Sequence, residues 1–528
     1  MTTASAIDEP AVSVQPSLTR RIPWLPFAFI ALTALISILW SAAKLLWWDE
    51  FLVLWTDTQP SWAKVAHIQA SWPISLDPLV YHLIANTAIR LFGPNAFAIR
   101  LPSLLGFLVM QFCLYRFVRR IASERSALFA LAFPALTATL YYAVEGRPYG
   151  FLLGLCGIAM ISWQTAIHRE TRRAVPLIAL ALCLGLSINT HYYGVLLIIP
   201  FLAAELFRAF RRKHPDWPVF IAIVVASATI GFVIPFAKAA APFRHHDYFL
   251  AQNRMTPAVI ATAYAEIFLG KAHVVAHRGA IFLLITGFFL FAVIACVRQI
   301  RAQRISLPGP EFIFIVTLAL LPVFGFLLAA AVTHVFEPRH MIAAIIGVSA
   351  LVAISLDPLF RQQRIGRILI LLVFGELGII GLMHVRIERQ QASDDRAAMI
   401  LTPQQKAAIL ATPSGKIYIQ EPPAFSKAWY YEPDPGLRSR LVFVYSREQE
   451  LRWSQMDVIS LTEIHLHNFT NVPVESWESI SAQPGDHIFV IYPNTQWDWF
   501  NQAFTAGHAS VTPIGPAFQG EVVSVRFR

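Results

Sequence analysis

Cysteine is scarce in this chain. The four present, Cys113, Cys156, Cys183 and Cys296, all fall inside apolar stretches with no Cys-x-x-Cys spacing, so neither a disulfide framework nor a zinc site is implied and they read as small packing residues. Charge is also thin. Asp, Glu, Lys and Arg make up 14% of the residues, against roughly 25% in a typical soluble domain. No fixed period repeats, no segment is of low complexity, and no glycine-rich phosphate loop opens a helix, which argues against a solenoid and a nucleotide-binding unit of that type. A cleavable leader is not expected either, because the apolar stretch before Ser41-Ala42-Ala43 is too long for a signal-peptide core.

What is abundant is apolar surface. The 528 residues are 56% hydrophobic and include 39 Phe, with a mean hydropathy of +0.54, more than one soluble core can hide. Apolar runs recur at 24–46, 96–118, 127–143, 148–167, 175–189, 193–210, 219–236, 280–297, 312–332, 341–354 and 365–385. Each is near the roughly 20 residues that cross a bilayer, so the chain reads as a polytopic α-helical membrane protein of about 11 spans. The net charge of +10 is spread over short clusters: Arg116, Arg119, Arg120 and Arg125 after the second span, Arg169, Arg172 and Arg173 after the fourth, Arg208 to Lys213 after the sixth, Arg298 to Arg304 after the eighth, Arg361 to Arg367 after the tenth. Basic residues in every second loop set topology rather than bind nucleic acid. The amino terminus is then cytoplasmic, and an odd number of crossings carries the carboxyl terminus outside.

This frame divides the chain into a cytoplasmic tail (1–23), a membrane domain (24–387) with long outer loops at 47–95 and 238–279, and a soluble domain (388–528). In the first outer loop Asp77-Pro78 predicts a helix start, and Ser61 predicts a cap for a short interfacial helix carrying Trp62, Val65 and Ile68. The second carries Arg244-His245-His246-Asp247 and a predicted helix over 257–269. Beyond 387, alternating apolar residues predict strands at 416–420, 441–445, 487–492 and 522–527, with a helix at 497–506, giving a small α/β domain.

The polar residues that could carry chemistry crowd the outer helix ends: Asp49-Glu50, Asp77-Pro78-Leu79-Val80-Tyr81-His82, Glu145-Gly146-Arg147-Pro148-Tyr149, His191-Tyr192-Tyr193-Gly194 and Glu337-Pro338-Arg339-His340. A carboxylate beside a span is costly unless it serves chemistry or caps a helix. Arginines at such a boundary either hold a phosphate through forked donors or pair with a nearby acid, here Glu145 or Glu337.

Taken in order, and with Phe97-Ala98-Ile99-Arg100-Leu101-Pro102-Ser103 opening the second span, these motifs resemble the GT-C membrane glycosyltransferases, in particular the bacterial branch similar to protein O-mannosyltransferases and aminoarabinose transferase. The match runs over roughly the first 350 residues, with Asp77-Pro78 where the family often has two prolines and His340 where a tyrosine is usual. The resemblance implies an inverting transferase of a bacterial inner membrane that moves a sugar from a polyprenyl-phosphate carrier to an acceptor hydroxyl on a protein, lipid or glycan. It implies Asp49 as the base with Glu50 beside it, and Arg147, Arg339, His191, Tyr149 and Tyr192 around the carrier phosphate. Asp77, His82 and Glu145 would support the acceptor or the loop. No cofactor beyond the lipid-linked donor is called for, and a metal is not indicated. A ligase or polymerase acting on a lipid-linked glycan is the alternative. A transporter of such a glycan would need charges near the midplane and repeated halves.

Overall fold

The computed structural model describes residues 24–244, 256–270, 278–301, 309–334, 336–412, 415–493, 495 and 498–527. The chain opens with α1 (Leu25–Ala43), whose apolar run ends at Lys44. Three short helices follow it: α2 (Trp48–Asp57), α3 (Trp62–Ser71) and α4 (Leu79–Phe92). Next come α5 (Ala96–Arg119), α6 (Glu124–Ala132), α7 (Pro148–Ile167) and α8 (Ala174–Thr190). Among the described residues six helices are long and apolar enough to cross a bilayer, or seven if the bent pair Gly309–Ala319 and Leu321–Val332 is one span. Several expected spans are therefore shorter or broken. The run at 127–143 is α6 followed by 3-10 turns at Phe133–Leu136 and Ala138–Ala143, because Pro134 lacks a backbone donor and the Thr137 side chain caps Thr139 N instead.

The bundle is tightest where α5 crosses α7. A Cβ on Gly106 would lie 2.4 Å from the Gly150 carbonyl oxygen, one on Gly150 would lie 2.4 Å from that of Ser103, and one on Gly154 would lie 2.7 Å from Gly106 Cα. Only glycine lets two backbones approach so closely, the usual device of membrane helix pairs. This crossing fixes the start of α7, and so Arg147, against α5.

At the end of the bundle where α2, α3 and α4 gather lies a six-stranded sheet, ordered β3-β2-β1-β4-β6-β5. Strands β1 (Ile417–Ile419), β2 (Leu441–Tyr445), β3 (Val474–Ser476) and β4 (Asp486–Ile491) run parallel, while β6 (Gly520–Arg526) and β5 (Ser510–Ala517) run antiparallel. Successive side chains alternate between faces. Tyr418, Val442 and Phe489 enter one core with Trp477 and Phe500, whereas Ile417, Ile419, Phe443 and Ile488 enter another. That second core also contains Leu46, Phe51, Trp55, Tyr81 and Ile89, so the sheet and the loop helices bury a common apolar face. Polar contacts pin the same junction: Leu46 N donates to Tyr431 Oη at 2.8 Å, and Tyr430 Oη to the Pro94 carbonyl at 3.2 Å.

Candidate active site

Asp49 and Glu50 stand in the first turn of α2, where acids favour the positive end of a short helix. Their side chains meet different partners. Glu50 is fully buried. Its Oε1 accepts from Arg100 Nε at 2.6 Å and Gly146 N at 2.7 Å, and its Oε2 from Arg100 Nη2 at 2.6 Å. Trp47 N adds a longer bond to Oε2 at 3.4 Å. Burial pushes this carboxyl up, but Arg100 and Lys44 more than reverse the effect and hold it below the ordinary carboxylate range. Such a group stays ionised with no lone pair to offer a substrate. These contacts tie the first turn of α2, which carries Asp49, to Arg100 of α5 and to Gly146.

Asp49 is partly open to solvent. Its Oδ2 accepts from Arg339 Nη1 at 3.1 Å and lies 3.9 Å from Arg147 Nε. Arg339 comes from a 3-10 turn (Pro338–Met341), and Arg147 is the residue before α7. Two guanidinium groups from distant parts of the chain thus converge on one carboxylate, and neither pairs with its neighbouring glutamate, Glu337 or Glu145, in a salt bridge among the described residues. The Nε atoms of both arginines are buried without a hydrogen-bond partner. Donors left idle in a buried place mark where an anion would be bound.

Asp77 does not cap α4 as its Asp-Pro sequence predicts. Pro78 occupies the capping position with no side-chain bond, and Asp77 Oδ2 instead pairs with Arg147 Nη2 at 3.0 Å. The pull of a buried guanidinium outweighs a capping bond that solvent can replace. Ser75 Oγ takes Arg147 Nη1 at 3.2 Å, and the Ser103 hydroxyl donates to the Arg147 carbonyl. His191 lies behind the pair. Tyr193 N donates to its Nδ1 at 3.2 Å, leaving the neutral ring's proton on Nε2, which is 4.0 Å from Asp77 Oδ1. Burial lowers the pKa of His191 to about 4 against the opposing pull of Asp77, so the ring is neutral at physiological pH.

Tyr149 lies under the cluster, with the Arg339 guanidinium 5.9 Å from its ring centre, within cation–π range. Tyr193 and His340 continue this wall: His340 is 4.9 Å from the Tyr193 ring and 4.6 Å from His191. Tyr192, expected beside the phosphate, sits half-buried at the start of the turn Tyr192–Leu197, and Tyr193 is the ring that stacks on the histidines. His82 belongs to a separate pair, its Nδ1 held 2.9 Å from Asp57 Oδ1 in full burial, and so braces α4 against α2. Glu145 is buried with Oε2 unpartnered, and desolvation raises its pKa to about 7 despite the cations Lys44 and Arg339. Lys44, Tyr141 and Ser75 were not singled out by sequence. A lysine closing an apolar span five residues before an acidic residue was the available signal for the first.

Residues 245–247 of the histidine-containing outer loop lie outside the described residues. Among those described, no three His, Cys, Asp or Glu side chains gather as a metal cradle.

Residues 77–233 match the family described as dolichyl-phosphate-mannose-protein mannosyltransferase. No curated protein matches the sequence. Two solved structures share the fold over nearly the whole chain. ArnT from Cupriavidus metallidurans bound to undecaprenyl phosphate aligns with a TM-score of 0.57 at 13% identity, over 94% of this chain and 97% of that one. The apo state of the same protein gives 0.56 at 13% identity, over 94% and 98%. Sequence and fold therefore agree on the resemblance to the GT-C membrane glycosyltransferases.

Proposed function

We propose that this protein is an inverting glycosyltransferase that moves a sugar from a polyprenyl phosphate to an acceptor hydroxyl at the extracytoplasmic face of a bacterial cytoplasmic membrane. The amino terminus would lie in the cytoplasm and the C-terminal sheet outside. One observation carries the reading: a partly open carboxylate, Asp49, lies between two guanidinium groups with unused donors, 3.1 Å from Arg339 and 3.9 Å from Arg147. The shared fold with a protein solved bound to undecaprenyl phosphate supports the choice of anion.

In this reading the acceptor oxygen attacks the anomeric carbon while Asp49 takes its proton. The bond from that carbon to the phosphate oxygen breaks, and the electron pair leaves with the phosphate. Positive charge develops on the sugar, and the leaving group gains negative charge that Arg147 and Arg339 stabilise. Phosphate leaves readily, so no strong general acid is required. A single displacement inverts the anomeric centre. Asp77, His191 and Ser75 keep Arg147 extended toward the phosphate, and Glu50 with Arg100 holds α2 so that Asp49 points into the gap.

Purified protein in lipid nanodiscs, given radiolabelled undecaprenyl-phosphate sugars and extracted envelope acceptors, tests this. Label transfer by the native chain that disappears in Asp49→Asn supports the proposal. Full activity in Asp49→Asn removes the base, and no transfer from any polyprenyl-phosphate sugar overturns the function.

A further inference from the structure

The loop that holds Arg147 is itself held from its other side. Residues 72–78 link α3 to α4 without a helix or strand of their own, so their course depends on what their polar groups and side chains meet. On one side Ser75 Oγ accepts from Arg147 Nη1 at 3.2 Å and donates to Asp77 Oδ2 at 3.4 Å, and that same carboxylate oxygen lies 3.0 Å from Arg147 Nη2. On the other side the Pro73 carbonyl lies 2.9 Å from His465 Nδ1, and Ile74 is buried in the core that also holds Ile417, Phe443 and Leu466. His465 and Leu466 belong to the helix Val458–His467, which runs between β2 and β3. Neighbouring residues of one loop thus face opposite ways. Pro73 and Ile74 engage the C-terminal sheet and its helix, while Ser75 and Asp77 engage the guanidinium.

The histidine is suited to fixing a position. A carbonyl only accepts, so Nδ1 carries the proton, and burial lowers the pKa of the ring, which keeps it neutral at physiological pH. Phe243, buried in the turn Ala241–Arg244, stands edge-on with its ring centre 5.4 Å away and steadies the plane of the imidazole. The bond spans 392 residues and ends two positions before Ser75. Pro73 and Pro78 lock φ at either end of the segment. A shift at the Pro73 carbonyl is therefore carried on to Ser75 and Asp77 instead of being absorbed between them.

Resting on the reading of Arg147 as a phosphate ligand, we infer that His465 is a positioning residue for the carrier phosphate. Through the His465–Pro73 bond the C-terminal sheet sets the loop that aims Arg147, so the sheet is part of the framework of the donor site.

Binding of undecaprenyl phosphate to the full chain in nanodiscs tests this. His465→Ala should weaken it by roughly 3- to 10-fold, what one neutral hydrogen bond is worth. His465→Asn, whose amide places an N–H near the position of Nδ1–H, should recover most of the loss, whereas His465→Gln, whose amide reaches farther toward the place of Nε2, should not. In a Ser75→Ala background the effect of His465→Ala should shrink, because both act through one loop. Phe504→Leu, in the core on the far face of the sheet, loosens the same region without touching the loop and should leave the affinity unchanged. Should His465→Ala not purify as folded protein, Ile74→Val gives the same contrast by trimming the other anchor. Unchanged affinity in His465→Ala, an equal loss in His465→Asn, or a loss that Phe504→Leu reproduces overturns the assignment. If the native chain does not bind undecaprenyl phosphate, or Arg147→Ala binds it as well as the native chain does, it is the proposed function that fails.

Discussion

Around Glu50 both carboxylate oxygens are taken by Arg100, with Gly146 N as a further donor, whereas around Asp49 the partners keep donors in reserve, the Nε atoms of Arg147 and Arg339 among them. Adjacent residues thus head two unlike regions. The closed one ties α2 to α5 and the start of α7 and has nothing left to give a ligand. The open one is an incomplete network, which on its own stabilises the fold poorly. In a buried ion cluster, the atoms without partners are better guides to function than the charges themselves.

Replacing the two acids should separate these regions most sharply. Asp49→Asn is expected to slow transfer by ~10²- to 10⁴-fold, the usual worth of a general base, with the melting temperature in nanodiscs barely moved. Glu50→Gln should instead cost about 3–5 kcal/mol of stability, as breaking a buried pair does. Thermal unfolding would reveal it, and an unaltered melting temperature would contradict the closed reading. Because the folded protein holds the Glu50 carboxyl below its usual range, its contribution is present above the ordinary carboxylate pKa. It is lost as pH falls through the lowered folded value.

A smaller effect is expected from Arg147→Ala, which should weaken undecaprenyl phosphate by roughly 10- to 100-fold if the guanidinium holds the phosphate; isothermal titration in nanodiscs would measure it. Unchanged affinity would reduce Arg147 to a structural partner of Asp77. The mildest expectation concerns pH. The Glu145 carboxyl, raised to about 7 chiefly by burial, is neutral below that value and adds negative charge beside Arg339 above it. Affinity for the phosphate should therefore fall as pH rises through about 7. Glu145→Gln should flatten the profile, and a native profile already flat from pH 6 to 8 would count against that carboxyl sensing the phosphate.

Much of the architecture was legible because it follows from local pattern. Most of the apolar runs became helices, although that at 127–143 breaks into 3-10 turns, Ser61 caps α3 by accepting from Lys64 N, and the anticipated strands at 441–445 and 487–492 appear as β2 and β4. Two strands escaped notice. β3 has three residues, and β5 contains Pro513, Gly515 and Pro516, tolerated on an edge where the missing donors face no neighbour. Which acid matters depended on contacts that local pattern does not carry. Arg339 reaches Asp49 across 290 residues and Arg100 reaches Glu50 across 50. The same limitation disguised Asp77, whose Asp-Pro sequence reads as an ordinary cap until Arg147 is brought beside it.

The glycine crossing of α5 and α7 has a mechanical consequence. Arg100 near the start of α5 grips the helix that bears Asp49, and Arg147 sits at the start of α7, so both halves of the proposed reaction centre are bolted to one stiff beam. A bilayer that thins or thickens would tilt that beam as a whole instead of prising its two loads apart, and the spacing between carboxylate and guanidinium would survive changes in the surrounding lipid.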